Sequence, residues 1–188
     1  HYIMNDGTYP GSNFGNTASG YKEHTYEVNH EMVLVRFPRE GKDPVILGVL
    51  KGVVMFYADM IRAVPIMSQI EFMGVSSYGS GTKTSGHVQV TKDVSISLEG
   101  RHVIILEDII DSGRTLSHLL SFLKVREPKS LKLCALLDKP SRRQVEFVPD
   151  YVGKEIPDEF VIGYGLDYAE KYRSLPYVGI LKREVYMK

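Results

Sequence analysis

The sequence predicts an α/β fold in which a central, mostly parallel sheet is flanked by helices. Two observations carry that expectation. From Glu31 onward, short continuous apolar runs of strand length recur, and after two of them helical apolar spacing follows a brief polar turn. Continuous runs, unlike alternating ones, are what strands covered on both faces require. A third observation bounds the domain count: 188 residues, 43% hydrophobic and 24% charged, suit one ordinary globular domain with a single large core.

In residues 1–20, Gly7, Gly11, Gly15 and Gly20 alternate with Asn5, Asn13 and Asn16, without either hydrophobic period. Residues 1–30 are therefore expected to be an atypical, flexible N-terminal segment, with the main domain at 31–188. Residues 45–50 (VILGVL) read as a buried strand ending at Lys51-Gly52, after which Val53, Phe56, Tyr57, Met60 and Ile61 mark one face of a helix. Residues 72–88, rich in glycine and small polar side chains, read by themselves as a solvated connection. Residues 103–106 form a second buried strand, followed by a polar turn and by Leu116, Leu119, Leu120 and Leu123 at helical spacing. Residues 131–137 and 160–162 read as further strands.

Composition excludes several classes of function. Twenty-three Lys and Arg balance twenty-three Asp and Glu, so neither a nucleic acid nor a membrane surface is expected as partner, and any anion site must be local. The lone Cys134 lies in an apolar run, where an inert buried thiol is expected rather than a nucleophile. His1, His24, His30, His87, His102 and His118 lack zinc-site spacing. No run approaches the roughly 18 apolar residues of a membrane span, and nothing resembles a secretory signal. A cytoplasmic location is expected.

The chemistry concentrates in residues 103–115, VIILEDIIDSGRT. In an open α/β sheet, ligands bind at the carboxyl ends of strands, where helix amino ends supply unpaired amides and partial positive charge. Glu107 and Asp108 are acceptors suited to two neighbouring hydroxyls, as on a ribose, directly or through magnesium. The amides of residues 111–115, with the hydroxyls of Ser112 and Thr115, can surround a phosphate monoester, and Gly113 permits close backbone approach. A plainer reading is a capped helix start, with Asp111 or Ser112 as the cap. Neither GxxxxGK[ST] nor a GxGxxG after a strand is present, so P-loop and dinucleotide folds are unsupported.

With both carboxylates, the apolar pair and DSGRT in one run, this segment resembles the phosphoribosyl pyrophosphate motif of phosphoribosyltransferases. The resemblance extends over residues 43–186 and is closest to the hypoxanthine-guanine phosphoribosyltransferases. It implies a type I phosphoribosyltransferase fold with a small hood subdomain, and a homodimer or homotetramer. In that family the LKG turn, here Leu50-Lys51-Gly52, contains a non-proline cis peptide whose amides bind pyrophosphate. Residues 72–88 then match a lid carrying Ser77 and Tyr78, and Arg173 a further pyrophosphate contact. Lys139 matches the donor to the exocyclic oxygen of a 6-oxopurine, Phe160 the ring stacked on the base, and Val161 the carbonyl at its edge. Asp167 matches a magnesium ligand, joining Glu107 and Asp108. Asp111, Ser112, Gly113, Arg114 and Thr115 match the 5-phosphate loop. Within the basic run 139–143 only Lys139 is expected in the site, the rest forming a solvated turn.

The resemblance implies purine salvage: magnesium-dependent transfer of a phosphoribosyl group from phosphoribosyl pyrophosphate to hypoxanthine, guanine or both, giving IMP or GMP and pyrophosphate. Xanthine differs from these at one ring position and is not separated by the sequence. Asp111 is the expected general base, acting under a lid that excludes water. A non-enzymatic alternative, a regulator that senses phosphoribosyl pyrophosphate and binds nucleic acid, would need a basic face or an added helix pair; neither is present. The sequence departs from the family at its start, where residues 1–20 lack the usual leading helix.

Overall fold

Parallel pairing of five strands builds the frame on which everything else is placed. The computed structural model describes residues 21–22, 43–64, 67–77 and 88–187. In chain order these contain β1 (Tyr21–Lys22), β2 (Val45–Leu50), α1 (Val54–Ala63), β3 (Gln69–Ser77), β4 (Val88–Lys92), β5 (His102–Ile110), α2 (Arg114–Lys124), β6 (Ser130–Asp138), β7 (Tyr151–Glu155), β8 (Val161–Ile162), β9 (Gly179–Leu181) and α3 (Arg183–Tyr186), with a 3₁₀ turn at Pro140–Arg142. The main sheet has the order β4-β3-β2-β5-β6-β7, parallel except for the antiparallel β4 at one edge. A smaller antiparallel sheet, β1-β9-β8, stands apart from it in pairing.

Alternation along the central strands divides the core in two, because successive strand side chains point to opposite faces. Val45, Leu47, Val103, Ile105, Leu133 and Ala135 pack with Leu116, Leu119 and Leu123 of α2 on one face. Ile46, Ile104, Leu106, Cys134 and Leu136 pack with Phe56 and Tyr57 of α1 on the other, together with Val161, Leu166 and Val178. Burial pushes the Cys134 thiol up to about 12, as an inert core residue requires. Tyr57 ties α1 to two strands: its hydroxyl donates to the Ile46 carbonyl at 2.8 Å and accepts from the Glu71 amide at 3.2 Å. Its ring covers Gly48, where a Cβ would come within 2.6 Å of the ring. Val64 ends α1 in an extended conformation, as expected for the residue before Pro65.

The predicted strand 45–50 and both predicted helices are present. Three boundaries differ from the sequence reading. The strand expected to stop at residue 106 continues to Ile110, because parallel pairing with β6 runs on through Ile110↔Asp138. The expected solvated stretch 72–88 begins and ends as strand, β3 and β4 closing an antiparallel pair through Ser77↔Val88. β7 was not anticipated: YVGKE is too short and too polar to stand out, yet it pairs with β6 along the sheet edge. Most of the expected N-terminal segment, residues 1–20 and 23–30, lies outside the described residues, and Tyr21–Lys22 pairs with β9.

Candidate active site

The carboxyl ends of β2, β5 and β6 converge at one edge of the sheet, and the motif residues stand there. After Ile110 the chain turns through Asp111, Ser112 and Gly113 into α2. Gly113 is the N-cap residue, in the left-handed region at φ 78°, so no side chain caps the helix. The reading of Asp111 or Ser112 as the cap is therefore not realised. The Ser112 hydroxyl only approaches the Arg114 amide, at 3.4 Å, and the Asp111 carboxylate accepts instead from Arg142 Nε at 2.8 Å. Gly113 is demanded by its neighbours as well as by its φ, since a Cβ would lie 2.4 Å from the Phe147 ring. An uncapped helix start leaves amides and a partial positive charge directed at this turn.

A segment after β6 braces that turn. The Lys139 amide donates to the Ile110 carbonyl and the Gln144 amide to the Ser112 carbonyl, each at 2.9 Å. Arg143 pairs with the buried Asp138, reaches the Asp111 carbonyl at 3.5 Å, and lies 4.6 Å above the Phe147 ring centre. The expectation that residues 140–143 form a solvated turn is thus corrected: Arg142, though half exposed, pairs with Asp111, and Arg143 with Asp138 and the Asp111 carbonyl. Lys139 is itself buried, and burial lowers its pKa, with Arg142 adding to the lowering while Asp111, Asp158 and Glu159 oppose it.

Glu107 and Asp108 lie within β5. Burial, then the neighbouring Asp108 charge, holds the Glu107 carboxyl well above the usual range, and its Oε2 is buried with no hydrogen-bond partner. Burial pushes Asp108 up to about 6, against the Ile109 amide and Arg173, which favour its charged form. Two carboxylates kept at such a disadvantage are poised for a cation or for hydroxyl donors. Asp108 rests on Gly52, where a Cβ would fall 1.6 Å from its Oδ2, beside the cis Leu50–Lys51 peptide that the resemblance implies. From the far side Gly165, at φ 98°, packs on the Gly52 carbonyl, leaving 1.9 Å for a Cβ.

An ion network covers this end. Lys51 Nζ and Arg173 both contact Glu170 Oε2, at 3.1 and 3.3 Å, and Arg173 also reaches Asp167 at 2.9 Å and the Gly165 carbonyl at 2.8 Å. Glu170 escaped the sequence reading because an exposed glutamate carries no local signal. Among the described residues no three His, Cys, Asp or Glu converge as a metal cluster, so Asp167 does not share one shell with Glu107 and Asp108. At the opposite end the Phe160 ring packs edge-on to Tyr168 and tilted on Tyr186, with centroids 5.6 and 5.1 Å apart, and Val161 is buried in β8. Arg114 is exposed and Thr115 half-buried in the first turn of α2. Ser77 ends β3, while Tyr78 lies outside the described residues.

This geometry has relatives. Residues 28–169 match the model of the phosphoribosyl transferase domain family. The chain is 56% identical over 147 residues to the bifunctional protein TilS/HprT of Listeria monocytogenes, covering 78% of this chain but only 23% of that protein's length. It is 53% identical over 143 residues to the hypoxanthine-guanine phosphoribosyltransferase of Bacillus subtilis, covering 76% of this chain and 79% of the relative. A crystal structure of a hypoxanthine phosphoribosyltransferase from Staphylococcus aureus superposes with a TM-score of 0.74 at 50% identity, covering 78% and 80% of the two chains. A family match over most of the sequence, relatives at half identity and a shared fold agree with the strand-end constellation: the chain belongs to the phosphoribosyltransferase family, among its hypoxanthine-guanine members.

Proposed function

We propose that the chain transfers the 5-phosphoribosyl group of phosphoribosyl pyrophosphate to hypoxanthine, guanine or both, releasing pyrophosphate. The observation that carries this reading is the uncapped turn 111–115 standing just beyond Glu107, whose Oε2 is buried with no hydrogen-bond partner, and its neighbour Asp108 on the same strand. A phosphate monoester fits the turn, and ribose hydroxyls fit the carboxylates.

Each residue has a task. The amides of residues 111–115, with Ser112 and Thr115, hold the 5-phosphate, and Arg114 borders it. Lys51 and Gly52 present backbone, and Arg173 its guanidinium, to the pyrophosphate, with Ser77 and Tyr78 closing over it as part of a lid. Lys139 donates to the purine's exocyclic oxygen, Phe160 stacks on the base, and the Val161 carbonyl meets its edge. As a purine ring nitrogen bonds to the anomeric carbon, the bond to pyrophosphate breaks and Asp111 takes the proton from the imidazole ring. Glu107 and Asp108 flank the sugar as positive charge develops there.

Magnesium fits the donor set: it takes one or two carboxylates plus substrate phosphates rather than a protein cage, and Glu107 offers an unpaired buried oxygen. Glu107 and Asp108 would hold it on the ribose side and Asp167 on the pyrophosphate side. When bound it supplies positive charge to the departing pyrophosphate.

Residues 31–188 are assigned as the transferase domain, consistent with a family match that starts at residue 28. A homodimer or homotetramer is part of this reading, on the family resemblance alone. No described helix is long and apolar enough to cross a membrane, and the balanced charge argues for small-molecule partners, not nucleic acid; the lone buried Cys134 suits a reducing, cytoplasmic setting.

Incubating the protein with magnesium, phosphoribosyl pyrophosphate and each purine separately tests the reading by nucleotide formation. Absence of product with every 6-oxopurine would overturn it, and selective binding of RNA or DNA would promote the regulator. Asp111→Asn is expected to keep ribose-phosphate binding while slowing transfer by about 10²-fold or more. A variant turning over at the parent rate would remove Asp111 as the base.

A further inference from the structure

The basic turn after Lys139 has no task in the transfer as described, yet it is held against the site. Arg142 Nε donates to Asp111 Oδ1 at 2.8 Å, and its NH1 lies 3.6 Å from Asp158. Asp111 Oδ2 accepts from no described residue. The turn that carries Arg142 is fixed independently, through the Lys139 and Gln144 amides on the carbonyls of Ile110 and Ser112. Both partners of the pair are about half exposed, at 49% and 45%, so it contributes little to stability. Its effect is on orientation: a carboxylate free to rotate at a loop would present either oxygen, or neither, to a purine.

We propose that Arg142 is a positioning residue for Asp111, occupying Oδ1 so that Oδ2 is the oxygen that meets the imidazole N–H of the purine. The inference rests on Asp111 being the general base. Asp158 restrains the guanidinium from its other end, and Arg143 holds the Asp111 backbone, so the side chain and main chain of Asp111 are fixed by adjacent arginines.

Single-turnover nucleotide formation at saturating magnesium and phosphoribosyl pyrophosphate, with hypoxanthine varied, isolates the transfer from product release. Arg142→Ala should slow the transfer about three- to thirtyfold, less than the roughly hundredfold of outright misplacement. In a separate steady-state series with phosphoribosyl pyrophosphate varied at saturating hypoxanthine, its KM should stay within about twofold, since Arg142 is assigned no phosphate contact. Arg142→Lys should recover part of the rate. In an Asp111→Asn background, Arg142→Ala should cost less than about twofold, because the group it orients no longer takes a proton. Parent-like transfer in Arg142→Ala, or losses that multiply in the double variant, would overturn the positioning role. Parent-like transfer in Asp111→Asn would instead sink the general-base assignment beneath it. Arg142→Met, which keeps the apolar stem but has no donor, serves if the alanine variant melts early, and the same rate criteria apply to it.

Discussion

Single residues at this site are constrained from directions that their own identity does not reveal. Gly113 is legible as a turn glycine, but not the reason for it: Phe147 fills the space where a side chain would stand, 34 positions later in the chain. Gly113→Ala combines a left-handed backbone with that clash and should lower unfolding stability by about 1–3 kcal/mol, measured by urea titration. Adding Phe147→Ala would relieve the contact but not the backbone, so no more than part of the loss should return. Arg142, Arg143 and Glu170 were invisible for a related reason. Charged residues in polar turns are usually solvated, and a sequence does not say that Asp111, Asp138 or Lys51 waits across 31, 5 or 119 positions. Glu107, Asp108, Asp111 and Lys139 were legible because they belong to contiguous motifs.

Elements were read well wherever apolar runs were continuous and poorly wherever a strand carried polar residues. β2, α1 and α2 announce themselves by period, whereas β5 runs four residues beyond its apolar stretch because β6 continues to pair with it. The β3–β4 pair is the sharper case. Its inner face is secured by an acid: Glu71 accepts from Ser95, from the Phe72 amide and from Lys92, tying β3 to the chain that follows β4. Burial pushes the Glu71 carboxyl up, but these donors outweigh it and hold it at about 2. Its folded pKa is thus below the ordinary value of 4.5, so the stabilisation is complete above pH 4.5 and lost as pH falls toward 2. Glu71→Gln should cost roughly 1–3 kcal/mol at pH 7 and flatten the acid limb of stability between those pH values, read from unfolding curves across the range.

At the scale of the molecule, two apolar faces supply a rigid sheet, and the polar groups gather at one edge of it. The fold class was legible because both faces leave their mark as buried strands and amphipathic helices; of the small β1-β9-β8 sheet only β8 was legible, within the apolar run 160–162, because β1 and β9, of two and three residues, carry no period. Stability and function oppose each other at that edge. Glu107 is buried without a hydrogen-bond partner for Oε2, a cost that a ligand would offset. Glu107→Gln should raise the melting temperature of the ligand-free protein. It should also shrink the rise that magnesium with phosphoribosyl pyrophosphate produces in the parent, about 2.7 kcal/mol at a hundredfold excess over Kd. Thermal shifts of both proteins, with and without ligand, test the two halves separately.

The two ends of the site are built of different materials. Gly52 is wedged between the Asp108 carboxylate and Gly165, with 1.6 and 1.9 Å where side chains would need more than 3. That end is incompressible, and its shape can change only if several residues change together. Around Lys139 the neighbours are partly exposed ion pairs, Arg142 with Asp111 and Asp158, which contribute little to stability, so the fold tolerates substitution there. Drift in base preference should therefore accumulate among residues 139–141 and 158–160, while the end proposed to take the leaving group stays as it is; an engineer seeking a new acceptor base would begin among those residues and leave both glycines alone.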